Sequence, residues 1–396
     1  MLNKKIKILN LFAFSQETHG CNFQLWQKAI LRFSLIRTWP LLNKNSEFEF
    51  EIHNYNEINQ KLMAEKDGVK FFSYPINLKT FLRNKLVKFN NRINPRKIGT
   101  FSKEYSDQFE EYLSNVNDVD IVHIRGTGKN IVRVIEICKQ KSIPCILESC
   151  GAGFACAEKY ISLVFKIIVR TKRLKKRIIK NYKTVEANKV EVLYPPVDTN
   201  IFKPLGKNVR SNYPRLLYVG SICRNKQLHL AVSLFDKVRK VFPKATLDVI
   251  GFVHDKSYYN YVKKYINKHN LASVVFFLGY IKNEDLPPYY SNSDILVSPS
   301  KLEAFSSVCV ESMACETPPL VLEGSFGPEE FIDHNCTGFI VNEDNIYTQV
   351  VTILKDKERL KEIGKKARKV VMKENNLNYI ASRLDKIYKE IIFKSC

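Results

Sequence analysis

Acidic residues are in short supply in this 396-residue chain: 40 Asp and Glu stand against 63 Lys and Arg, leaving a formal net charge of +23. Such an excess points to polyanionic partners, whether nucleic acid, an anionic membrane surface or phosphorylated ligands. A chain rich in Lys, Asn and Ile throughout also has a purely compositional source for it. No recognised nucleic-acid module accompanies the charge, which sets nucleic acid aside. Long apolar runs are missing as well: the longest candidate, 160–169, is interrupted by Lys166, so no membrane span is expected. The opening MLNKKIKILNLFAF is basic and then apolar, but no small-residue cleavage site follows, and it reads as a first buried strand rather than an export signal. The ten cysteines include no C-x-x-C pair and no Cys/His cluster at zinc-like spacing. Cys145, Cys150 and Cys156 form the only loose group, and the expectation is free thiols in a reducing cytosol, with no metal and no cofactor. Repeats and low-complexity segments are absent.

What remains is ordinary globular material, 45% hydrophobic, in a chain too long for one core. Two halves alternate short apolar strands with amphipathic helices, the pattern of α/β folds with parallel sheets. In the first half, 6–14, 121–124 and 144–147 read as strands, and 25–118 holds pieces that periodicity alone does not order. In the second half, 216–219, 246–250, 274–277, 295–297 and 319–322 read as strands, with helical patterns at 228–241 and 256–269. Tyr194-Pro-Pro-Val-Asp198 is an extended connector fixed by two prolines. The predicted division is 1–195, 196–375, and a C-terminal helix, 376–396, returning to the first domain. In parallel sheets, ligands lie outside the carboxyl ends of the strands, which assigns chemistry to the loops that follow them.

The most informative such loop is 299–315, which leaves a buried strand and enters a helix. Small residues at Ala304, Ser306 and Ser307 let backbone amides approach a ligand, and amides opening a helix suit a diphosphate. Glu311 is placed about two turns into that helix, able to accept from ribose hydroxyls, with Glu303 just before the turn.

This stretch resembles the signature of glycosyltransferase family 4, the "group 1" family, whose pattern is E-G-F-G-x-x-x-x-E-A-M-A-C-G-T-P. Here it runs from Glu303-Ala-Phe-Ser to Glu311-Ser-Met-Ala-Cys-Glu-Thr-Pro318. In order around it, Tyr218-Val-Gly220 with Lys226 resembles the glycine loop and phosphate lysine, and Leu278-Gly-Tyr280 the base-binding turn. Tyr290-Ser-Asn-Ser-Asp294 with Pro299-Ser300, Gly327-Pro-Glu-Glu330 and Thr337-Gly-Phe339 resemble later segments. The likeness covers about 190–375 well and the first half loosely.

The resemblance implies a GT-B fold: two Rossmann-like parallel-sheet domains facing across a cleft, the first for the acceptor and the second for the nucleotide-sugar. It implies catalytic roles for Lys226, Glu303 and Arg224, and donor binding by Gly220, Ser221, Tyr280, Ile281, Ser306, Ser307, Val308 and Glu311. His19, Gly20, Cys150 and Gly151 would lie on the acceptor side. Three departures accompany it. Ser221 stands where the family has arginine, leaving Arg224 as the nearby substitute; Cys150 stands where it has histidine; and Thr18-His19-Gly20 stands where it has a Gly-Gly loop. The implied activity is retaining transfer of a hexose from a nucleotide-diphosphate sugar to a lipid-linked or cell-envelope glycan, with a lean toward mannosyl transfer. No Asp-x-Asp pair stands in the matched region to hold a metal. The alternative is a non-catalytic GT-B module that binds a nucleotide or a partner. Basic stretches at 159–183 and 78–98, interleaved with apolar residues, read as amphipathic helices suited to an anionic membrane. The protein is therefore expected in the cytoplasm, peripheral on the inner face of the membrane.

Overall fold

A computed structural model describes residues 5–12, 38–44, 48–56, 62–75, 111–126, 131–149, 151, 154, 156–206 and 213–395. The chain divides into two compact units, 1–196 together with 378–396, and 197–377.

The first unit is built on strands β1 (Ile6–Phe12), β2 (Phe48–Asn56), β3 (Leu62–Lys66), β4 (Val69–Pro75), β5 (Ile121–Arg125), β6 (Cys145–Glu148), β7 (Lys166–Val169) and β8 (Val190–Val192). They form an eight-stranded sheet in the order β3-β4-β2-β1-β5-β6-β7-β8. Neighbours pair in parallel except β3 with β4, which are antiparallel. Those two are joined by Asp67-Gly68, both at positive φ (52° and 74°), the backbone that a two-residue hairpin turn requires. β5, β6 and β7 are buried along their whole length, as strands covered on both faces must be.

The basic stretch 159–183 is not one amphipathic helix. It is a helical turn at Glu158–Ile161, then β7, then helix α1 (Lys172–Asn181). Lys166, read as an interruption of an apolar run, is a buried strand residue. Its Nζ donates to the Asn188 carbonyl at 2.9 Å and lies 3.2 Å from the Glu390 carboxylate, so the charge is paired. α1 is capped by the Thr171 hydroxyl and buries Leu174 and Ile178, leaving Lys172, Arg173, Lys176, Arg177 and Lys180 exposed. Residues 78–98 lie outside the described residues.

Two clusters of buried charge lie within this unit. Glu51 accepts from Tyr112 Oη at 2.6 Å and has Lys7 Nζ at 3.1 Å and His53 Nε2 at 3.4 Å. Burial pushes its carboxyl upward, but His53, Tyr112 and Lys7 outweigh that and hold it at about 2. Glu148 lies 2.8 Å from Arg125 Nε, 3.4 Å from His123 Nε2 and 3.8 Å from Arg170 Nη2. Burial again acts upward and is overcome, here chiefly by Arg125, leaving that carboxyl also at about 2.

The second unit contains β9 (Arg215–Val219), β10 (Thr246–Ile250), β11 (Val275–Gly279), β12 (Ile295–Ser298), β13 (Pro319–Leu322) and β14 (Phe339–Val341). They form an all-parallel six-stranded sheet in the order β11-β10-β9-β12-β13-β14. Its helices include α2 (Leu228–Arg239), α3 (Lys256–Lys268), α4 (Ser307–Ala314) and α5 (Lys357–Glu374). One core joins Leu216, Leu247, Val297 and Leu320 of the sheet to Phe235, Val262 and Ile363 of the helices. From β9 the chain adds β10 and β11 on one side, then crosses to add β12 on the other. The sheet therefore changes direction between β9 and β12, the place where parallel α/β sheets open a ligand crevice.

The chain then returns to the first unit through α6 (Leu377–Ser395). Ile380, Leu384, Ile387, Tyr388 and Ile391 recur at helical spacing and pack in one core with Ile8, Phe48, Phe50 and Ile121. Tyr388 Oη is 3.0 Å from His123 Nδ1. Among the described residues no helix is long and apolar enough to cross a membrane.

Candidate active site

The loops on either side of the change of direction, after β9 and after β12, carry most of the residues that the sequence pattern singles out. Gly220 continues the ladder, its N–H donating to Ile250 O at 2.9 Å. The neighbouring loop after β10 comes so close that a Cβ on Gly251 would sit 1.9 Å from Gly220 O, so only glycine fits there. Tyr218, buried at the end of β9, donates to the carbonyls of Ser221 at 3.3 Å and Lys226 at 3.4 Å. Burial holds its phenol well above the ordinary range, so it stays a donor. Residues Arg224–Lys226 form a 3-10 turn that ends at Gln227 with φ 49°, and α2 begins there.

The loop after β12 is clamped from both sides. Lys301 N–H donates to Asn225 O at 3.3 Å, joining it to the Lys226 turn. Glu303 N–H donates to Ser325 O at 2.9 Å, and Gly327 N–H donates to Glu303 O at 2.9 Å. On Gly327 a Cβ would lie 2.6 Å from the Ala304 carbonyl carbon. Between the clamped loops, the Lys226 ammonium and the Glu303 carboxylate form an ion pair, the lysine side chain 30% and the glutamate 14% exposed.

α4 opens with Ser307 exposed and Val308 half-buried, so its amide end faces outward. Glu311 is its fifth residue, about one turn in rather than two. It is buried, and both oxygens are engaged: Asn283 Nδ2 donates to Oε1 at 2.9 Å and Tyr290 Oη to Oε2 at 3.1 Å. Burial, and then the charge of Glu311, push the Tyr290 phenol upward, which keeps it donating. Both oxygens of Glu311 are therefore held by neutral donors.

Two departures from the family's glycines fall on left-handed backbone. Ser306 has φ 76° and ψ 79°, and Glu316 has φ 62°. Each costs about 1 kcal/mol relative to glycine. Ser306 has a local bond in return, its hydroxyl donating to Cys309 Sγ at 3.1 Å. Glu316 ends α4 in a Schellman turn, Thr317 N–H to Ser312 O at 3.0 Å and Glu316 N–H to Met313 O at 3.1 Å. α5 presses against this turn at Gly364, where a Cβ would lie 2.0 Å from Glu316 O. Burial pushes the Cys309 and Cys315 thiols up to about 12, which leaves both unreactive.

The remaining candidates are more dispersed. Arg224 is 77% exposed; its partners are Asp255, at 3.9 Å, and the face of Tyr258, not Glu303. Tyr280, 71% exposed, and Ile281 line a cleft of about 700 Å3 with Ile201, Leu205 and Pro288. Gly151 follows β6 in the first unit, whereas His19, Gly20 and Cys150 lie outside the described residues. Periodicity and motif gave no role to Asn283, Tyr290 or Ser325, the groups that hold the two glutamates. Only Tyr290 lies within a quoted motif.

Residues 199–370 match the family model of glycosyl transferases group 1. The chain is 24% identical over 208 residues to a poly(glycerol-phosphate) alpha-glucosyltransferase of Bacillus subtilis, covering 51% of this chain and 30% of that protein. It is also 24% identical over 216 residues to a GDP-mannose-dependent alpha-(1-6)-phosphatidylinositol monomannoside mannosyltransferase of Mycobacterium tuberculosis, covering 50% and 55%. The alignments thus span about a third to a half of these relatives. Among solved structures, a glycosyltransferase from Rickettsia africae superposes with a TM-score of 0.72 at 20% identity, covering 98% of this chain and 99% of that one. An Anabaena protein in complex with UDP gives 0.68 at 15%, covering 97% and 100%. These likenesses show the GT-B fold.

Proposed function

We propose that this chain, whose residues 199–370 belong to glycosyl transferases group 1, is a retaining, metal-independent hexosyltransferase. It would use a nucleotide-diphosphate sugar and act on a lipid-linked or cell-envelope glycan. The observation that carries the reading is the grouping, where the second sheet changes direction, of an ammonium, a helix start and two held glutamates. As the sugar–phosphate bond breaks, charge grows on the leaving diphosphate. Lys226 and the amides from Ser306 to Val308 stabilise that charge, supplying the positive field that a divalent cation would otherwise provide. Glu303 addresses the transferred sugar, Glu311 holds the ribose, Tyr280 with Ile281 flanks the base, and Gly220 and Ser221 complete donor binding. Arg224 joins the diphosphate only by turning away from Asp255. His19, Gly20, Cys150 and Gly151 remain the residues proposed for the acceptor.

The named relatives support the class of donor and acceptor. The Anabaena protein binds UDP, and the two relatives are named for a glycerol-phosphate polymer and a phosphatidylinositol mannoside. Both names specify α products, which supports retention. The exposed cationic face of α1 supports a peripheral position on an anionic, cytoplasmic membrane surface. Thermal melting with UDP, GDP and ADP in the presence of a chelator tests the core of the reading. One of them should raise the melting temperature by mass action. Turnover that stops on chelation and returns only with manganese or magnesium would remove metal independence.

A further inference from the structure

We infer that Glu303 is an internal stand-in for the donor diphosphate: its carboxylate occupies Lys226 until a nucleotide displaces it, and only then is it released toward the sugar. The inference rests on the proposed reading that Lys226 meets the diphosphate. Its basis is the ion pair together with the way both backbones are held. The Lys226 turn is fixed by Tyr218 Oη on its carbonyl, by Lys226 N–H to Cys223 O at 3.1 Å, and by the Lys301–Asn225 bond. Glu303 is bonded on both sides to the 325–327 segment, and Gly327 leaves no room between that segment and Ala304. Each loop is fixed by bonds to its own surroundings, and the Lys301–Asn225 bond joins the two. The pair therefore separates by side-chain rotation alone.

An ammonium has three donors, but seating a carboxylate and a diphosphate on it together places like charges side by side. Exchange is the lower-energy course. Partial exposure of both side chains keeps the pair weak enough to exchange. The same residue thus shields the lysine when the site is empty and serves the sugar when it is full.

A sign follows that a simple binding role for Glu303 does not predict: removing its charge should strengthen nucleotide binding. Calorimetric titration of UDP, and of GDP if UDP does not bind, into wild type, Glu303→Gln, Lys226→Met and the double variant reads it, with chelator present throughout. Glu303→Gln should bind the nucleoside diphosphate roughly two- to fivefold tighter than wild type. The gain should vanish in the Lys226→Met background, because the two residues act as a unit. Glu303→Ala provides the same comparison if the glutamine variant does not fold. Equal or weaker binding by the charge-removed variant overturns the inference while leaving the donor site in place. A gain that survives without Lys226 also overturns it, since Glu303 would then act by direct repulsion. Failure of wild type to bind UDP, GDP or ADP, in this titration or in thermal melting, removes the donor-site reading and the inference together.

Discussion

The two units place their charges differently. In the second, Lys226, Glu303 and Arg224 sit partly or largely exposed on loops at the carboxyl edge of the sheet, where a ligand can reach them. In the first, Glu51 and Glu148 are buried among Lys, His, Arg and Tyr partners, where their environment stabilises the charged form. The loop charges of the second unit are available for chemistry, at little consequence for stability. The two buried carboxylates of the first are committed to the fold. Removing one partner of a buried set leaves the others uncompensated, which is why the two kinds should fail in different assays.

Lys226→Ala puts the contrast to its hardest test. It should lower kcat by roughly 10²- to 10³-fold while leaving the melting temperature nearly unchanged. Full activity in that variant would show the leaving-group site to be wrongly assigned, and no turnover in wild type with any donor would favour a nucleotide-binding module. Next in size is Glu148. Its carboxyl falls from an ordinary 4.5 to about 2, so its stabilisation is complete above pH 4.5 and is lost as pH falls toward 2. The shift corresponds to about 3 kcal/mol. His123 adds to the acid sensitivity: burial lowers its pKa, so protonation below the ordinary 6.5 favours unfolding. Urea unfolding should show a loss of that order in Glu148→Gln at pH 7, with a flatter acid limb than wild type. An unchanged midpoint would break the comparison.

The basic face of α1 is a third case, charge in the first unit that is exposed. Replacing Lys172, Arg173, Lys176, Arg177 and Lys180 by glutamine should weaken binding to anionic vesicles at least tenfold at low salt, since each contributes on the order of 1 kcal/mol near such a surface. Unchanged vesicle binding would reduce that helix to a solvated face. Glu311 gives the smallest effect and sharpens the contrast, being buried yet assigned to the proposed donor site. Glu311→Gln should raise KM for the donor about five- to tenfold with little change in kcat, because ribose contacts are alike in ground and transition states.

The same difference governs what the sequence reveals. The strands of the second unit are short apolar runs, several closed by glycine, and 246–250 and 319–322 coincide with β10 and β13. Only β14, three residues long, escapes notice. In the first unit, β2 reads FEFEIHNYN, and its Glu51 and His53 point to solvent by pattern although both are buried. β7 begins on a buried lysine, so a basic run there hides a strand. Asp67-Gly68, the turn between β3 and β4, carries a recognisable turn chemistry that apolar periodicity does not register. For the proposed site, the motif singles out Lys226, Glu303 and Glu311. It did not give the ion pair, nor the Asn283 and Tyr290 bonds, because these join residues brought together only by tertiary packing.

The return of α6 to the first unit has a consequence for the order of events during synthesis. The second unit is one continuous stretch, 197–377, and has all its core residues as soon as that stretch has left the ribosome. The first unit, although translated earlier, lacks Ile380, Leu384, Tyr388 and Ile391 until α6 has been made. Its sheet waits with one apolar face uncovered while the later unit closes. Nascent chains arrested before α6 are thus the species most in need of a chaperone, and the domain made second is the one that folds first.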